Sequence, residues 1–281
     1  MKKLKITGLF VYPVKSMKGI EIGQARLTPK GLQHDRSWMV VRSNGRFVTQ
    51  RELPRMCLIQ TGLDESGLSL SMKGHGTVTV PFDHADGRAI ETKVWNDACL
   101  TKDQGEQVSR WLNGALGSDD TLRLVRMDPG YTRPLSQPTV LGEETTTGFA
   151  DAAPFLVANE ASLEYLNKVL ESRSLNRVPM NRFRPNIVVQ GLDPFSEHKL
   201  DVLSAQNYQL NLCIPCKRCI ITTIDQETAG KDPQIQPFKT LQEINPGPGG
   251  KKAPAFAQYA TLSRGDGEII TLGDHFKVGY P

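Results

Sequence analysis

Three cysteines lie three positions apart in the stretch CIPCKRC, at residues 213, 216 and 219. Two basic residues, Lys217 and Arg218, stand between the last pair. Positive charge beside a cysteine favours the thiolate that a nucleophile or a soft-metal ligand requires. The chain has five cysteines, an odd number that does not suit a secreted disulfide framework. The stretch therefore indicates thiol, metal or redox chemistry, or else three small buried residues without any chemistry.

Two common metal sites fit this spacing poorly. C-x-x-C-x-x-C matches three ligands of a bacterial four-iron ferredoxin, but IITTID follows and no later cysteine exists. A structural zinc site needs about four ligands, and none of the five histidines lies at a companion spacing. The sequence therefore predicts no iron–sulfur cluster in this chain and favours one thiolate with a chemical role.

Basic residues in four short polar contexts are candidates for an anion site. Guanidinium forks and hydroxyl groups match the oxygens of a phosphate, so Lys15, Ser16 and the arginines 36, 51 and 184 could converge on one. Individually, each of these is more often a solvated surface residue, and only the fold decides whether they converge. The contexts are YPVKS (Tyr12 to Ser16), HDRSW (His34 to Trp38), TQRELPR (Thr49 to Arg55) and NRFRPN (Asn181 to Asn186).

Composition excludes several classes of protein. With 281 residues, 38% hydrophobic and 23% charged, the chain is typical of a soluble globular protein. A net charge of +4 is too small to indicate a nucleic-acid partner. No apolar run approaches the roughly 18 residues that a membrane span needs, and the N-terminus lacks a signal-peptide cleavage pattern. We expect a cytoplasmic protein with neither a nucleic-acid nor a membrane partner.

The elements that must position these residues are mostly strands. Alternating apolar residues mark short strands through the first hundred residues, around the cysteines, over Ile220 to Ile224 and at the C-terminus. Two helices stand out, one over EQVSRWLNG that Gly114 could end and one after Asn159 as N-cap. Few strand–helix–strand alternations occur. The pattern predicts a mainly β fold with α (α+β), β-barrel-like with helical decoration.

Motifs along nearly the whole chain resemble one family. The chain is similar to MOSC-domain proteins of the subgroup with an N-terminal MOSC β-barrel domain, which includes the YcbX-like proteins and the amidoxime reducing components. The resemblance implies a MOSC N-terminal β-barrel domain over residues 1–120 and a MOSC domain over residues 121–281. The motifs that carry it are YPVKSMKG, HDRSWMVV, TQRELPRM, DAAPFLVANEASLEYLN, RFRPNIVV, PCKRCIITTID, PFKTLQ, FAQY and LGDHFKVGY.

That resemblance implies a molybdenum cofactor, in which the pterin dithiolene and one protein cysteine hold the metal. The matching cysteine is Cys219, whereas Cys216 is its neighbour and Cys213 lies outside the family pattern. Asp151 matches an acid close to the metal and is a candidate for handling protons. The residues that match the pterin and phosphate contacts, or lie near that pocket, are Lys15, Ser16, Arg36, Arg184, Asn186 and Tyr259.

The implied activity is reduction of small N-hydroxylated compounds to amines. YcbX-like proteins carry a C-terminal two-iron ferredoxin domain that this sequence does not show, so we expect a separate ferredoxin- or flavin-type donor protein. Pyridoxal phosphate, which belongs to the sulfurase branch, is not expected. Two alternatives stay open at this point: a sulfur carrier with a persulfide on Cys219, and a cofactor-binding protein without turnover.

Overall fold

The structure is a computed structural model that describes residues 3–83, 87–118, 121–128, 130–135, 138–142, 144–247 and 250–280. Its strands are β1 (Lys3–Val11), β2 (Ile20–Glu21), β3 (Gln24–Thr28), β4 (Gly31–Leu32), β5 (Trp38–Arg42), β6 (Gln60–Asp64), β7 (Gly67–Met72), β8 (Gly76–Val80), β9 (Ala89–Val94), β10 (Asp97–Asp103), β11 (Leu122–Met127), β12 (Phe155–Asn159), β13 (Ile187–Gln190), β14 (Val202–Ser204), β15 (Gln209–Lys217), β16 (Pro246–Gly247), β17 (Gly250–Arg264), β18 (Ile269–Thr271) and β19 (His275–Gly279). The α-helices are α1 (Glu106–Leu116), α2 (Pro138–Leu141), α3 (Glu160–Ser172) and α4 (Phe238–Ile244).

Seven strands close into a barrel in the order β12-β13-β1-β19-β14-β15-β17, and β12 pairs with β17 to complete the ring. Alternate residues of β1, such as Leu4 and Ile6, point into the barrel and are fully buried there. Phe155, Leu210 and Phe276 come from other strands and fill the same core. The predicted β-barrel architecture with helical decoration is confirmed.

A second sheet has four strands, in the order β5-β11-β10-β9. It lies next to a three-stranded sheet of β6, β7 and β8. Helix α1 packs Val108 and Leu112 into their shared core around Trp38. The predicted end of this helix at Gly114 is wrong. The helix continues to Leu116, and Gly117 ends it in the left-handed conformation with φ 60°.

Neither the barrel nor the four-stranded sheet is confined to one side of residue 120 in the chain. Strand β1 belongs to the barrel, where it pairs with β13 and β19, although it lies in the first part of the chain. Strand β11 follows residue 120 and yet pairs with β5 and β10. The division of the chain into 1–120 and 121–281 stays a prediction about domains, and it does not coincide with the division between the sheets.

Local structure near the cysteines departs from the expectation in one place. The predicted strand over Ile220 to Ile224 is wrong, because residues Ile220–Thr223 form a short 3-10 helix. Its turn is closed by hydrogen bonds from Thr222 to the carbonyl oxygen of Cys219.

The N-cap prediction is confirmed, since the Asn159 side chain accepts from the backbone N–H of Ala161 at 3.2 Å. Within the described residues, no helix is long and apolar enough to span a membrane.

Candidate functional site

All eight residues that the family resemblance singles out line one cleft. They reach it from distant parts of the chain, and Lys15 and Asp151, which are in contact, are 136 positions apart. About 730 Å³ of space lies between the protein atoms that line the cleft, a volume that includes open solvent at its mouth. The fold therefore brings these eight residues together, which the sequence alone could not show. The eight residues are Lys15, Ser16, Arg36, Asp151, Arg184, Asn186, Cys219 and Tyr259.

Cys219 lies where β15 has ended and the 3-10 helix begins, so its thiol faces the cleft from a chain bend. Its sulfur accepts a hydrogen bond of 3.0 Å from Nη2 of Arg51. Arg51 in turn lies over the ring of Trp95, with 5.0 Å between the guanidinium carbon and the ring centroid. A cation thus holds the thiol sulfur from the opposite half of the chain.

The other two cysteines of the stretch have different surroundings. Cys216 is buried in the cleft wall, where its sulfur accepts from Nη1 of Arg218 at 2.7 Å. Burial raises the pKa of the Cys216 thiol, although the Arg218 charge opposes the shift. Cys213 is not among the described residues that line the cleft, and its sulfur contacts the Asn211 carbonyl oxygen and the Thr261 hydroxyl. Only two of the three thiols therefore belong to this site.

Lys15 and Asp151 form an ion pair in the cleft, with 2.5 Å between Nζ and Oδ1. The Lys15 side chain is 7% exposed and that of Asp151 is 45% exposed. The pair therefore extends from the buried wall of the cleft to its open mouth. Lys15 also donates to the Phe149 carbonyl oxygen, and Trp95 Nε1 donates to Asp151. Partial enclosure opposes ionisation, but the charges of Lys15 and Arg51 outweigh it and hold the pKa of Asp151 well below its usual value.

Two arginines from different halves of the chain approach each other in this wall. Nη2 of Arg36 donates to the carbonyl oxygen of Arg184 at 3.0 Å, and Nη1 of Arg184 donates to the Met17 carbonyl oxygen. Arg36, Arg184 and Ser16 all have positive φ angles, of 44°, 55° and 67°. Such left-handed backbone is strained for residues with a Cβ and is concentrated at functional sites.

Positive charge in the cleft exceeds negative charge. Among the described lining residues, five cations face the single carboxylate of Asp151. Two buried nitrogen atoms, Nη2 of Arg184 and Nε of Arg218, have no hydrogen-bond partner. A buried charged donor without an acceptor is costly, so an anionic ligand would stabilise this wall. The five cations are Lys15, Arg36, Arg51, Arg184 and Arg218.

The remaining predicted residues shape the cleft in different ways. The Asn186 side chain is engaged by backbone, because Oδ1 accepts from Leu156 N and Nδ2 donates to the Phe10 carbonyl oxygen, each at 3.2 Å. Ser16 is nearly buried, and its carbonyl oxygen accepts from the Gln50 side chain. Tyr259 stands on β17 beside Cys216, and burial raises its pKa well above the usual value.

Sequence reasoning placed Arg51 among the candidate phosphate-binding residues and Arg218 beside the cysteines, where its charge could favour a thiolate, but it assigned neither to a particular thiol. The available signal was the position of each arginine within a recognisable motif, Arg51 in TQRELPR and Arg218 in PCKRC. No sequence feature indicated that each guanidinium would contact a different thiol.

No group of three or more His, Cys, Asp or Glu side chains that could hold a metal ion occurs among the described residues. His84 lies outside those residues. A metal at Cys219 would therefore need most of its ligands from a bound cofactor, in agreement with the single cysteine expected from the family resemblance.

Comparison with known protein families gives two matches. The model described as the MOSC N-terminal beta barrel domain matches residues 3–119, and the model described as the MOSC domain matches residues 144–277. These two ranges contain all eight residues of the predicted site.

Individual relatives agree with this result. Human mitochondrial amidoxime-reducing component 1 is 32% identical over 281 residues, which cover 96% of this chain and 81% of that protein. Bovine mitochondrial amidoxime reducing component 2 is 30% identical, over 84% of this chain and 71% of that protein. Zebrafish molybdenum cofactor sulfurase is 34% identical over 86% of this chain, which spans only 30% of the length of that relative. The chain therefore belongs to the family of MOSC-domain proteins with an N-terminal MOSC β-barrel domain.

Proposed function

We propose that this protein is a molybdenum-cofactor-dependent oxidoreductase that reduces small N-hydroxylated compounds to amines. One observation carries the proposal: a thiol, Cys219, shares a cleft with five cations, of which Arg184 and Arg218 have unpaired buried nitrogen atoms. Human amidoxime-reducing component 1, similar along 96% of this chain, supports the same class of activity.

The chemistry of the cleft fits the cofactor. The molybdenum cofactor is a pterin with a dithiolene and a phosphate, so it needs a soft ligand on the metal and cations around its oxygens. Cys219 would supply the thiolate, and Lys15, Ser16, Arg36 and Arg184 would hold the pterin and its phosphate. Arg218 would offer its free Nε to the same anion. Asn186 would act by fixing the wall, because its amide is already bonded to the backbone.

When bound, the cofactor would supply the two-electron redox chemistry. The overall reaction consumes two electrons and two protons, breaks the N–O bond and releases an amine and water. The protein's own part would be to orient the substrate and to hold protons near the cleft mouth. Lys15 Nζ and the ionised Asp151 carboxylate lie 2.5 Å apart there, and we assign them the handling of protons. Because the lowered pKa keeps Asp151 ionised, Lys15 would donate the proton and Asp151 would hold its ammonium group in place.

Electrons would come from a separate donor protein of ferredoxin or flavin type. This part of the proposal rests on the similarity to the amidoxime-reducing components. Pyridoxal phosphate has no part in the proposed reaction.

The experiment is metal analysis paired with turnover. Protein made in a host that synthesises the cofactor is assayed for molybdenum and for reduction of benzamidoxime to benzamidine with a chemical electron donor. We expect molybdenum in the purified protein and amine formation that depends on it. Molybdenum without reduction would favour a cofactor-binding protein without turnover, and protein without molybdenum would contradict the proposal.

A second candidate is a sulfur carrier, in which Cys219 holds a persulfide for delivery to a partner. The observation in its favour is the Arg51 guanidinium on the Cys219 sulfur, which would equally stabilise a persulfide anion. The 34% identity to zebrafish molybdenum cofactor sulfurase supports it too. Mass spectrometry decides the question, since a carrier isolated in its loaded form has one added sulfur atom on Cys219.

A further inference from the structure

Tyr12 is a buried aromatic residue next to the cleft, and no part of the proposed function uses it. It directly follows β1, and only 2% of its surface is exposed. It is not among the described residues that line the cleft. Its ring nevertheless contacts two side chains that do line it, because the guanidinium carbons of Arg36 and Arg184 each lie 4.3 Å from the ring centroid.

These two arginines need such support. They carry like charges, lie close enough for Arg36 to donate to the backbone of Arg184, and repel each other. Burial and the charge of Arg36 lower the pKa of Arg184 to about 10. Among the residues that the structure describes, one acidic side chain bonds directly to the pair, since Asp35 accepts from Nη1 of Arg36. The face of an aromatic ring attracts a cation without neutralising it, and so leaves the charge available to a ligand.

The backbone around Tyr12 is built to fix this ring. The Arg36 amide donates to the Tyr12 carbonyl oxygen at 2.8 Å, and the Tyr12 amide donates to Asp35. Gly19 packs directly on the ring, where a Cβ atom would lie 2.4 Å from Cε1 of Tyr12. Only glycine fits there without displacing the ring.

We propose that Tyr12 is a positioning residue whose ring holds Arg36 and Arg184 together as one anion-binding pair. This inference rests on the proposed function in so far as the anion is the cofactor phosphate. The positioning itself concerns only residues of this chain. Tyr12 does not touch the ligand and acts through the two guanidinium groups.

The test compares Tyr12→Phe, which keeps the ring, with Tyr12→Leu, which removes it. Cofactor-free protein is titrated calorimetrically with inorganic phosphate at low salt. We expect Tyr12→Leu to bind phosphate about 5- to 30-fold more weakly, because two cation–π contacts are lost, and Tyr12→Phe to stay within about 2-fold of wild type. Gly19→Ala, which displaces the ring from outside the cleft, should resemble Tyr12→Leu.

A matched control separates positioning from a general loss of stability. Phe276→Leu removes another fully buried ring, in the barrel core against Tyr208, and it should leave phosphate binding unchanged. Labelling with phenylglyoxal, an arginine-selective reagent, followed by mass spectrometry, gives a readout without any ligand. We expect faster modification of Arg36 and Arg184 in Tyr12→Leu and in Gly19→Ala, and rates close to wild type in Tyr12→Phe and Phe276→Leu.

The outcomes are distinguishable. Equal labelling and equal phosphate affinity in Tyr12→Phe and Tyr12→Leu would overturn the inference, as would a loss in Phe276→Leu of the same size. If wild-type protein binds no phosphate, the proposed anion site is wrong, and the labelling contrast still decides the role of Tyr12. If Tyr12→Leu does not fold, Gly19→Ala replaces it, and wild-type labelling of both arginines in that folded variant would overturn the inference.

Discussion

The Arg51 guanidinium donates a hydrogen bond of 3.0 Å to the sulfur of Cys219, although 168 positions separate the two residues. This contact joins a loop of the first half of the chain to the thiol that the family resemblance assigns to the metal. It also places a positive charge beside the sulfur atom that would bind the metal, where the anionic ligands of the cofactor would also lie.

Replacing Arg51 should therefore weaken retention of the cofactor. We expect Arg51→Met to hold molybdenum about 10- to 150-fold more weakly, since a hydrogen bond to a charged group contributes about 1.5 to 3 kcal/mol. Molybdenum per chain after dialysis measures this. Arg46→Met, which removes an exposed arginine paired with Glu52, serves as the control. Retention in Arg51→Met equal to that in the control would show that the contact is dispensable.

Arg184 should lower the stability of the cofactor-free protein, and a bound anion should offset that loss. Its Nη2 is buried without a partner, so Arg184→Met should leave the thermal midpoint of cofactor-free protein unchanged or raise it. The same change should weaken cofactor binding by about 1.5 to 3 kcal/mol. Thermal unfolding and cofactor release are measured on one preparation, with the exposed Arg177→Met as reference. A large fall in the midpoint with unaltered cofactor release would refute an anion-binding role.

Asp151→Asn tests the proton-handling role. Asparagine keeps the size of the side chain and can still accept from Lys15 and Trp95, so fold and molybdenum content should be close to wild type. Turnover should fall by about 100-fold or more, because a neutral amide no longer supplies the negative charge that holds the proton-donating Lys15 ammonium in place. Near-normal turnover together with near-normal metal content would assign Asp151 to shaping the turn before β12.

The ion pair between Lys15 and Asp151 also predicts a pH dependence of stability. The pKa of Asp151 is lowered in the folded protein, so its contribution is fully present above the ordinary Asp pKa of about 4 and is lost as the pH falls further towards the folded value. The difference in thermal midpoint between wild type and Asp151→Asn should stay constant from roughly pH 8 to pH 5 and shrink below about pH 4. A difference that disappears between pH 7 and pH 5 would show that Asp151 titrates in that range.

Sequence patterns predicted the fold class and the α3 N-cap because both depend on local chemistry. Asn159 caps whichever helix follows it, and alternating residues such as Leu4 and Ile6 specify a strand with one buried face. The same local reasoning failed after Cys219. A β-branched run favours a strand, but here the chain turns at the cleft and Thr222 bonds back to the Cys219 carbonyl oxygen.

Individual site residues were predictable from motifs, whereas their contacts were not. Lys15 and Asp151 each lie in a recognisable motif, yet nothing in either motif specifies that they pair across 136 positions. The contact arises because β1 and β12 belong to one closed barrel, and both residues lie beside an end of one of those strands. The contacts of the Tyr12 ring with Arg36 and Arg184 were unpredictable for the same reason, since nothing in YPVKS specifies which arginines the fold brings to it.

We propose Cys219 as the one cysteine of CIPCKRC that holds a molybdenum cofactor in this cleft. Molybdenum per chain, measured in wild type, Cys219→Ala and Cys213→Ala from a cofactor-producing host, tests it most directly. The account predicts molybdenum in wild type and in Cys213→Ala and its loss in Cys219→Ala, because Cys219 lines the cleft and Cys213 does not. Equal loss in both variants, or unchanged metal in Cys219→Ala, would contradict it.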